Sequence, residues 1–325
     1  MIMYSKQAVT VPFESMSRSQ KFVHSYIITG EKGVGKKTAA KYMAMQLLCD
    51  NRNACGQCRQ CRRVLSGQHP DFIAVEKDGR SYSVKRLREK VITDSVIMPN
   101  DTDRKVYLMA DCDGWSVSSM NALLKITEDP PDHAYFIFTA QSRESFLPTL
   151  ISRSMVMELH EAQREECIEA LKEYRETCET PENFSDERIM KAVEAFGGNI
   201  GRCIDQLNGE EKLMTAAETV RELTQAMAKR DEYKIAVLLS KAASNRDELK
   251  NTLEMLLRAL RDSAVIRSGG KDIIGCAAKG STEISGRFSA DEIIRMYDAV
   301  CTASKRCSGN CNAASCAAAL TGQLV

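Results

Sequence analysis

At 325 residues, with 43% hydrophobic and 27% charged residues, the chain is long enough for two or three domains with their own cores and has the balance of soluble globular protein. Its 45 Lys and Arg against 44 Asp and Glu leave a net charge of +1, so any nucleic-acid contact has to come from a local patch. No apolar run reaches membrane-spanning length, Met1 to Phe13 lacks the apolar centre of a secretory signal, and 13 cysteines, an odd number, point to reduced thiols in the cytosol.

Tyr26-Ile27-Ile28 predicts a strand running into a glycine loop, and Ala39, Ala40, Met43, Ala44, Leu47 and Leu48 follow at helical spacing. Phe72-Ile73-Ala74-Val75, Val106-Tyr107-Leu108-Met109 and Tyr135-Phe136-Ile137-Phe138 are short apolar runs bounded by charged or turn-forming residues, the pattern of buried strands. Met155-Val156-Met157-Glu158-Leu159 adds a fifth. Strands separated by helices predict an α/β fold, a mostly parallel sheet covered on both faces. Ser116 to Glu128 predicts a helix with Met120, Leu123, Leu124 and Thr127 on one side, capped by Ser116 and stopped by Pro130-Pro131.

After residue 160 the strand signals end. Ala162 to Tyr174 and Asp186 to Phe196 predict helices, with Gly197-Gly198 breaking the second. Further helices are expected over 210–229, 231–244, 247–268 and 289–306, then an Ala- and Cys-rich stretch, with Ser268 to Gly286 as a loop. The expected layout is an α/β domain over 1–160, a small helical lid over 161–208 and an all-helical domain over 209–325.

The glycine loop Gly30-Glu31-Lys32-Gly33-Val34-Gly35-Lys36-Lys37-Thr38 fits the phosphate-binding pattern G-x-x-x-x-G-K between a strand and a helix. Such a loop aims backbone N–H groups and a helix dipole at one anion, and Lys36 would reach phosphate oxygens. A chance glycine turn is the plain alternative, opposed by the strand before and the amphipathic helix after. The metal chemistry is damaged twice. Lys37 stands where a Ser or Thr would bind Mg²⁺, and Thr38 is one residue late, about 100° round the helix. Where an active ATPase of this layout ends its later strand with adjacent acids, this chain has Met109-Ala110-Asp111, with Ala110 in the metal-binding place and Asp111 in the water-orienting one. Poor or absent hydrolysis in its own site is the expectation.

Cys49, Cys55, Cys58 and Cys61 supply four thiolates at a spacing suited to a closed, structural zinc site. Independent reduced cysteines and an iron–sulfur cluster are the alternatives, the latter at odds with the usual spacings. Arg52, Arg59, Arg62 and Arg63 would offset the excess negative charge of the sulfurs, and His69 either replaces a cysteine or shapes the turn into the next strand. Cys307, Cys311 and Cys316 suggest a second metal site or, on an Ala-rich helical pattern, small packing residues.

Cys55-Gly56-Gln57-Cys58-Arg59-Gln60-Cys61 with Gly67-Gln68-His69-Pro70-Asp71, Asn121-Ala122-Leu123-Leu124-Lys125 with Glu128-Asp129-Pro130-Pro131, and Ile151-Ser152-Arg153-Ser154 together resemble the bacterial clamp-loader family of AAA+ proteins, and within it the delta-prime branch of DNA polymerase III. The resemblance spans most of the first 160 residues. It implies a degenerate ATP site and a P-loop AAA+-type domain, lid and helical collar. It also implies a hetero-pentamer with gamma/tau and delta types that loads a sliding clamp on primer-template DNA in the bacterial cytoplasm. Arg153 follows an expected strand-to-strand loop after Pro148-Thr149-Leu150. By the same resemblance it would act in trans as an arginine finger, the plain alternative being a solvated or intrachain ion-paired arginine. Arg202 would match the phosphate-sensing lid arginine or a packing residue, and Thr139 the first sensor position. Ser154 departs from the family's Cys, and the N-terminal segment lacks its apolar-Gly-Gln run. Lys37 and Lys41 could touch DNA or form a solvated helix face. Two other readings compete. An ATP-hydrolysing gamma/tau-type motor needs intact Mg²⁺ chemistry and usually has a further C-terminal extension. An unrelated zinc-stabilised P-loop kinase leaves the double-proline motif unexplained.

Overall fold

The structure is a computed structural model describing residues 22–79, 81–209, 211–271, 273–308 and 311–324, without the side chains of 211–214 and 308. The N-terminal stretch read above for a signal and for an apolar-Gly-Gln run lies outside the described residues. The chain divides into two compact units, Met1–Ala162 and Gln163–Val325.

In the first unit β1 (Ser25–Thr29), β2 (Phe72–Val75), β3 (Lys105–Met109), β4 (Ala134–Ala140) and β5 (Met155–Glu158) form one parallel sheet in the order β2-β3-β4-β1-β5. β1, β3 and β4 are buried along their whole length, which is why they read as continuous apolar runs. The pleat still sorts them by face. Tyr26, Ile28, Val106, Leu108 and Ile137 pack with Ala40, Met43 and Leu47 of α1 (Lys36–Leu48). Ile27, Tyr107, Met109, Phe136 and Phe138 instead share a core with Trp115 and with Met120 and Leu123 of the helix Val117–Glu128.

The remaining helices of this unit are α2 (Arg59–Leu65), α3 (Val84–Leu87, continuing through a π-helical turn Arg88–Ile92 into Thr93–Ser95), α4 (Val117–Glu128) and α5 (Pro148–Ile151). The side chain of Ser116 accepts the Ser119 N–H and caps α4, as its sequence predicts. The sequence does not announce α3: its charged run leaves only Leu87, Val91 and Ser95 buried.

The second unit is helical throughout its described residues: α6 (Arg164–Arg175), α7 (Asp186–Phe196), α8 (Ile200–Leu207), α9 (Glu211–Lys229), α10 (Glu232–Ala242), α11 (Arg246–Arg267), α12 (Ala278–Arg287), α13 (Ala290–Ser308) and α14 (Ala313–Thr321). A single hydrophobic core runs from Cys167 and Leu171 through Leu223 and Leu256 to Leu324, so the helices on both sides of residue 208 share it. The stretch Ser268 to Gly286, expected as a loop, is helical from Ala278 onward, where α12 begins. Its glycine at 280 serves close packing: a Cβ on Gly280 would lie 2.1 Å from Thr224 Oγ1 of α9. Among the described residues no helix is long and apolar enough to cross a membrane.

Candidate functional site

The sheet order brings three strand ends together on the edge where ligands of open α/β sheets bind. β4 lies between β1 and β3, so Thr139 sits between the glycine loop and Ala110-Asp111. Gly30, Gly33 and Gly35 have φ of 146°, 92° and 90°, conformations that glycine adopts without a Cβ penalty. Gly30 is doubly required, because a Cβ there would lie 2.4 Å from the Leu159 carbonyl oxygen. Lys36 is buried, and its Nζ donates to the Gly30 and Glu31 carbonyls at 2.7 and 2.8 Å. Burial lowers its pKa, opposed by the nearby Asp113, Asp111 and Glu31 carboxylates. An ammonium has three donors, so one N–H of Lys36 is left for an anion in the cradle.

The metal position is filled from within. Lys37 Nζ lies 2.6 Å from Asp111 Oδ2, joining the first turn of α1 to the end of β3. Asp111 is oriented for that contact: its φ is 54°, its N–H donates to Thr139 Oγ1 at 2.9 Å, and its carbonyl accepts from Lys77 Nζ at 2.5 Å. Ala110 contributes no side-chain oxygen, and its carbonyl accepts from Tyr82 Oη at 2.8 Å. Thr38 is half-buried and lies outside the Lys37–Asp111 contact. Nearby, Asp113 Oδ1 accepts from Gln141 N and Ser145 Oγ at 2.9 and 3.0 Å, fixing the turn after β4. These residues do not fit Mg·ATP. A dication would meet an ammonium where an oxygen ligand belongs and an acid already neutralised by it. Sequence reasoning singles out Lys37, Ala110 and Asp111; it misses the contacts made by Lys77 and Asp113, which no motif marks.

Arg153 follows α5, a short helix where the sequence suggested a plain loop. It is partly exposed, with Nη2 3.1 Å from Glu128 Oε1 at the end of α4 and Nη1 donating to the Thr149 carbonyl at 2.9 Å. The double-proline motif and the Ser-Arg-Ser motif, far apart in sequence, therefore meet at one ion pair. The Ser154 Oγ lies 2.8 Å from Ser25 Oγ and takes no part in the contacts of Arg153. In the second unit Arg202 is buried on α8 and ion-paired with Glu254 of α11, its backbone N–H donating to Asn199 Oδ1 at 3.2 Å.

The four knuckle cysteines come together as their spacing implies: all the sulfurs of Cys49, Cys55, Cys58 and Cys61 lie within 4.8 Å of one another. The Cys58 and Cys61 N–H groups donate to Cys55 Sγ and Cys58 Sγ at 3.3 and 3.4 Å, directing the sulfurs inward. Burial pushes the Cys49 thiol up, but hydrogen bonds at Cys55, Asn53 and Asn51 outweigh it and hold the pKa at about 6. Burial and the neighbouring Cys58 and Cys49 push the Cys61 thiol up. One thiolate thus forms readily and opposes the others until a cation offsets them. The donor set fits a closed, four-thiolate structural zinc site, with all four protein ligands supplied by residues 49–61.

Arg52 pairs with Asp103 at 2.6 Å, and Arg59 and Arg63 pair with Asp101, so these arginines tie the knuckle to the segment before β3. Asp71 organises that segment. Its buried carboxylate accepts from the N–H groups of Asn100, Asp101 and Thr102 at 2.6, 2.8 and 2.9 Å. Burial raises its pKa, but these bonds outweigh burial and hold it below the ordinary value. His69 lies outside the cysteine cluster; its Nδ1 accepts the Asp71 N–H at 3.0 Å and shapes the turn. Cys307 and Cys316 are buried and Cys311 exposed.

The profile of the family described as DNA polymerase III, delta subunit, matches residues 5–163. DNA polymerase III subunit gamma of Buchnera aphidicola (from Acyrthosiphon pisum) is 30% identical over 257 residues, covering 73% of this chain and 70% of that protein. DNA polymerase III subunit delta′ of Pseudomonas aeruginosa is 30% identical over 134 residues, 40% of this chain and 41% of that one. A solved gamma-subunit-related protein of Thermotoga maritima aligns over 96% of this chain and 99% of its own, at 14% identity and a TM-score of 0.42, too low to carry weight. With a relative at this identity spanning over two thirds of both chains, the protein belongs to the family of clamp-loader subunits of bacterial DNA polymerase III.

Proposed function

We propose that the chain is a delta-prime-type clamp-loader subunit, a scaffold that does not hydrolyse ATP in its own pocket and donates Arg153 to ATP bound by a neighbouring gamma/tau-type subunit. The observation that carries this reading is the Lys37–Asp111 ion pair in the place of the metal, 2.6 Å long. A subunit so built contributes to ATP turnover only through a neighbour, and Arg153 is its exposed candidate. To act, Arg153 would exchange Glu128 for the phosphoryl oxygens next door, stabilising charge that develops as the phosphoryl group transfers. In this reading 1–160 is the AAA+ domain, 161–208 acts as lid and 209–325 as oligomerisation collar in a cytoplasmic hetero-pentamer that loads the sliding clamp on primed DNA. Arg202, tied to Glu254, positions the lid helices and senses no phosphate of its own.

One observation favours a gamma/tau-type motor instead: the relative covering 73% of the chain is named gamma. Lys37 and Ala110 oppose it, since both magnesium contacts are gone.

The test is reconstitution with gamma/tau- and delta-type subunits, clamp and primed DNA. Arg153→Ala should leave assembly intact and reduce turnover at the one site served by on the order of 10³-fold, with Arg153→Lys recovering little. Unchanged DNA-stimulated turnover with Arg153→Ala would remove the trans role.

A further inference from the structure

The nucleotide pocket disagrees with its own metal in a specific way. The loop holds three glycines at positive φ, and the Lys36 side chain is held against the Gly30 and Glu31 carbonyls. What has changed is confined to the bridge between helix and strand. In a metal-dependent site a hydroxyl at position 37 and a carboxylate at the end of β3 would be linked through a dication. Here Lys37 Nζ and Asp111 Oδ2 meet directly at 2.6 Å, and the Asp111 backbone is fixed by Thr139 and Lys77 to make that meeting possible.

We infer that the Lys37 ammonium is a built-in replacement for the divalent cation, so that the pocket binds the phosphate chain of a nucleotide without metal. The inference rests on the non-hydrolysing reading of this pocket and adds a ligand class to it. Three points support it. First, the ammonium carries three donors and Asp111 takes one, leaving others for β- or γ-phosphate oxygens. Second, the side chain is 61% exposed, so a ligand arriving from solvent can reach its ammonium. Third, Lys36 Nζ is held on two loop carbonyls beside the start of α1, and an ammonium has a third N–H to offer an anion there. A metal-bound polyphosphate gains nothing here: its cation would be repelled by Lys37 and has no carboxylate at Ala110. The metal-free polyphosphate keeps its full negative charge for the two lysines.

Isothermal titration of the full-length chain with ATP, once with Mg²⁺ and once with EDTA, tests this directly. The wild type should bind ATP with affinities that agree within about twofold, or more tightly in EDTA. Lys37→Thr combined with Ala110→Asp should reverse the preference, binding at least about tenfold tighter with Mg²⁺ than in EDTA. Lys37→Met alone, checked for folding by its thermal transition, should weaken binding in EDTA by about tenfold or more. Wild-type binding that requires Mg²⁺, absence of ATP binding by the wild type, or a double variant indifferent to metal would each overturn the inference. Because the isolated chain is titrated, failure here leaves the trans role of Arg153 standing, and failure of the assembled ATPase test leaves this result standing.

Discussion

Two sites in the first unit, joined by the single helix α1, have kept opposite things. At its start Gly30, Gly33, Gly35 and Lys36 shape the glycine loop, while Lys37 and Asp111 close on each other at 2.6 Å and leave no oxygen cage for a dication. At its end Cys49 begins a cluster whose four sulfurs remain within 4.8 Å, with no position left open. A structural metal has to keep its donors because folding depends on them, whereas, on the reading proposed above, a subunit that acts on a neighbour's ATP has no need of a catalytic metal of its own. The knuckle is further secured by Asp71, through residues 100–102 and the Asp101 and Asp103 pairs with Arg59, Arg63 and Arg52.

The contrast can be broken most severely at the knuckle. Cys58→Ser, or chelation of the full chain, should reduce bound zinc from about one per chain to well below that and produce a large loss of thermal stability. Metal analysis alongside a melting curve checks both; full stability without zinc would contradict a structural role. Next in size is Asp71→Ala, which strands three backbone N–H groups and should cost on the order of 3 kcal/mol in denaturant unfolding. The same carboxyl carries a pH signature. Its folded pKa lies below the unfolded one, so its stabilisation is complete above about pH 4 and is lost as pH falls through the depressed folded value. Asp71→Asn should therefore flatten the acid side of the stability profile while leaving its slope near neutrality unchanged.

In the second unit Glu254→Gln removes the partner of the buried Arg202 and should cost about 2 kcal/mol, read as a shift in denaturant midpoint. The smallest effect belongs to Lys37→Met. Both partners of that ion pair are exposed, at 61% and 45%, so stability should change by no more than about 0.5 kcal/mol. A large loss would mean that the pair holds the fold together and would weaken its reading as a cation substitute.

The sheet was legible because its strands are buried on both faces and bounded by turns, so apolar runs such as Tyr135 to Phe138 stand out against their surroundings. The cysteine cluster was legible because its ligands are local. What stayed hidden depends on partners distant in sequence. Lys37 and Ala110 are two separate defects on paper, and nothing in the sequence shows that Lys37 pairs in space with Asp111, the residue beside Ala110. α3 has too few buried side chains to show an apolar period, and α12 contains Gly280, a poor helix former kept because Thr224 packs against it. Arg153 could be singled out by its motif, but its resting partner Glu128 could not, since only the fold brings α4 and the end of α5 together.

The central claim is that this pocket lacks the means to use a catalytic metal. Steady-state ATP turnover by the isolated full-length chain, at saturating Mg²⁺ and with and without primed DNA, tests it most directly. The account predicts a rate indistinguishable from a Lys36→Ala control. Sustained Mg²⁺-dependent turnover by the wild type, abolished in that control, would contradict it.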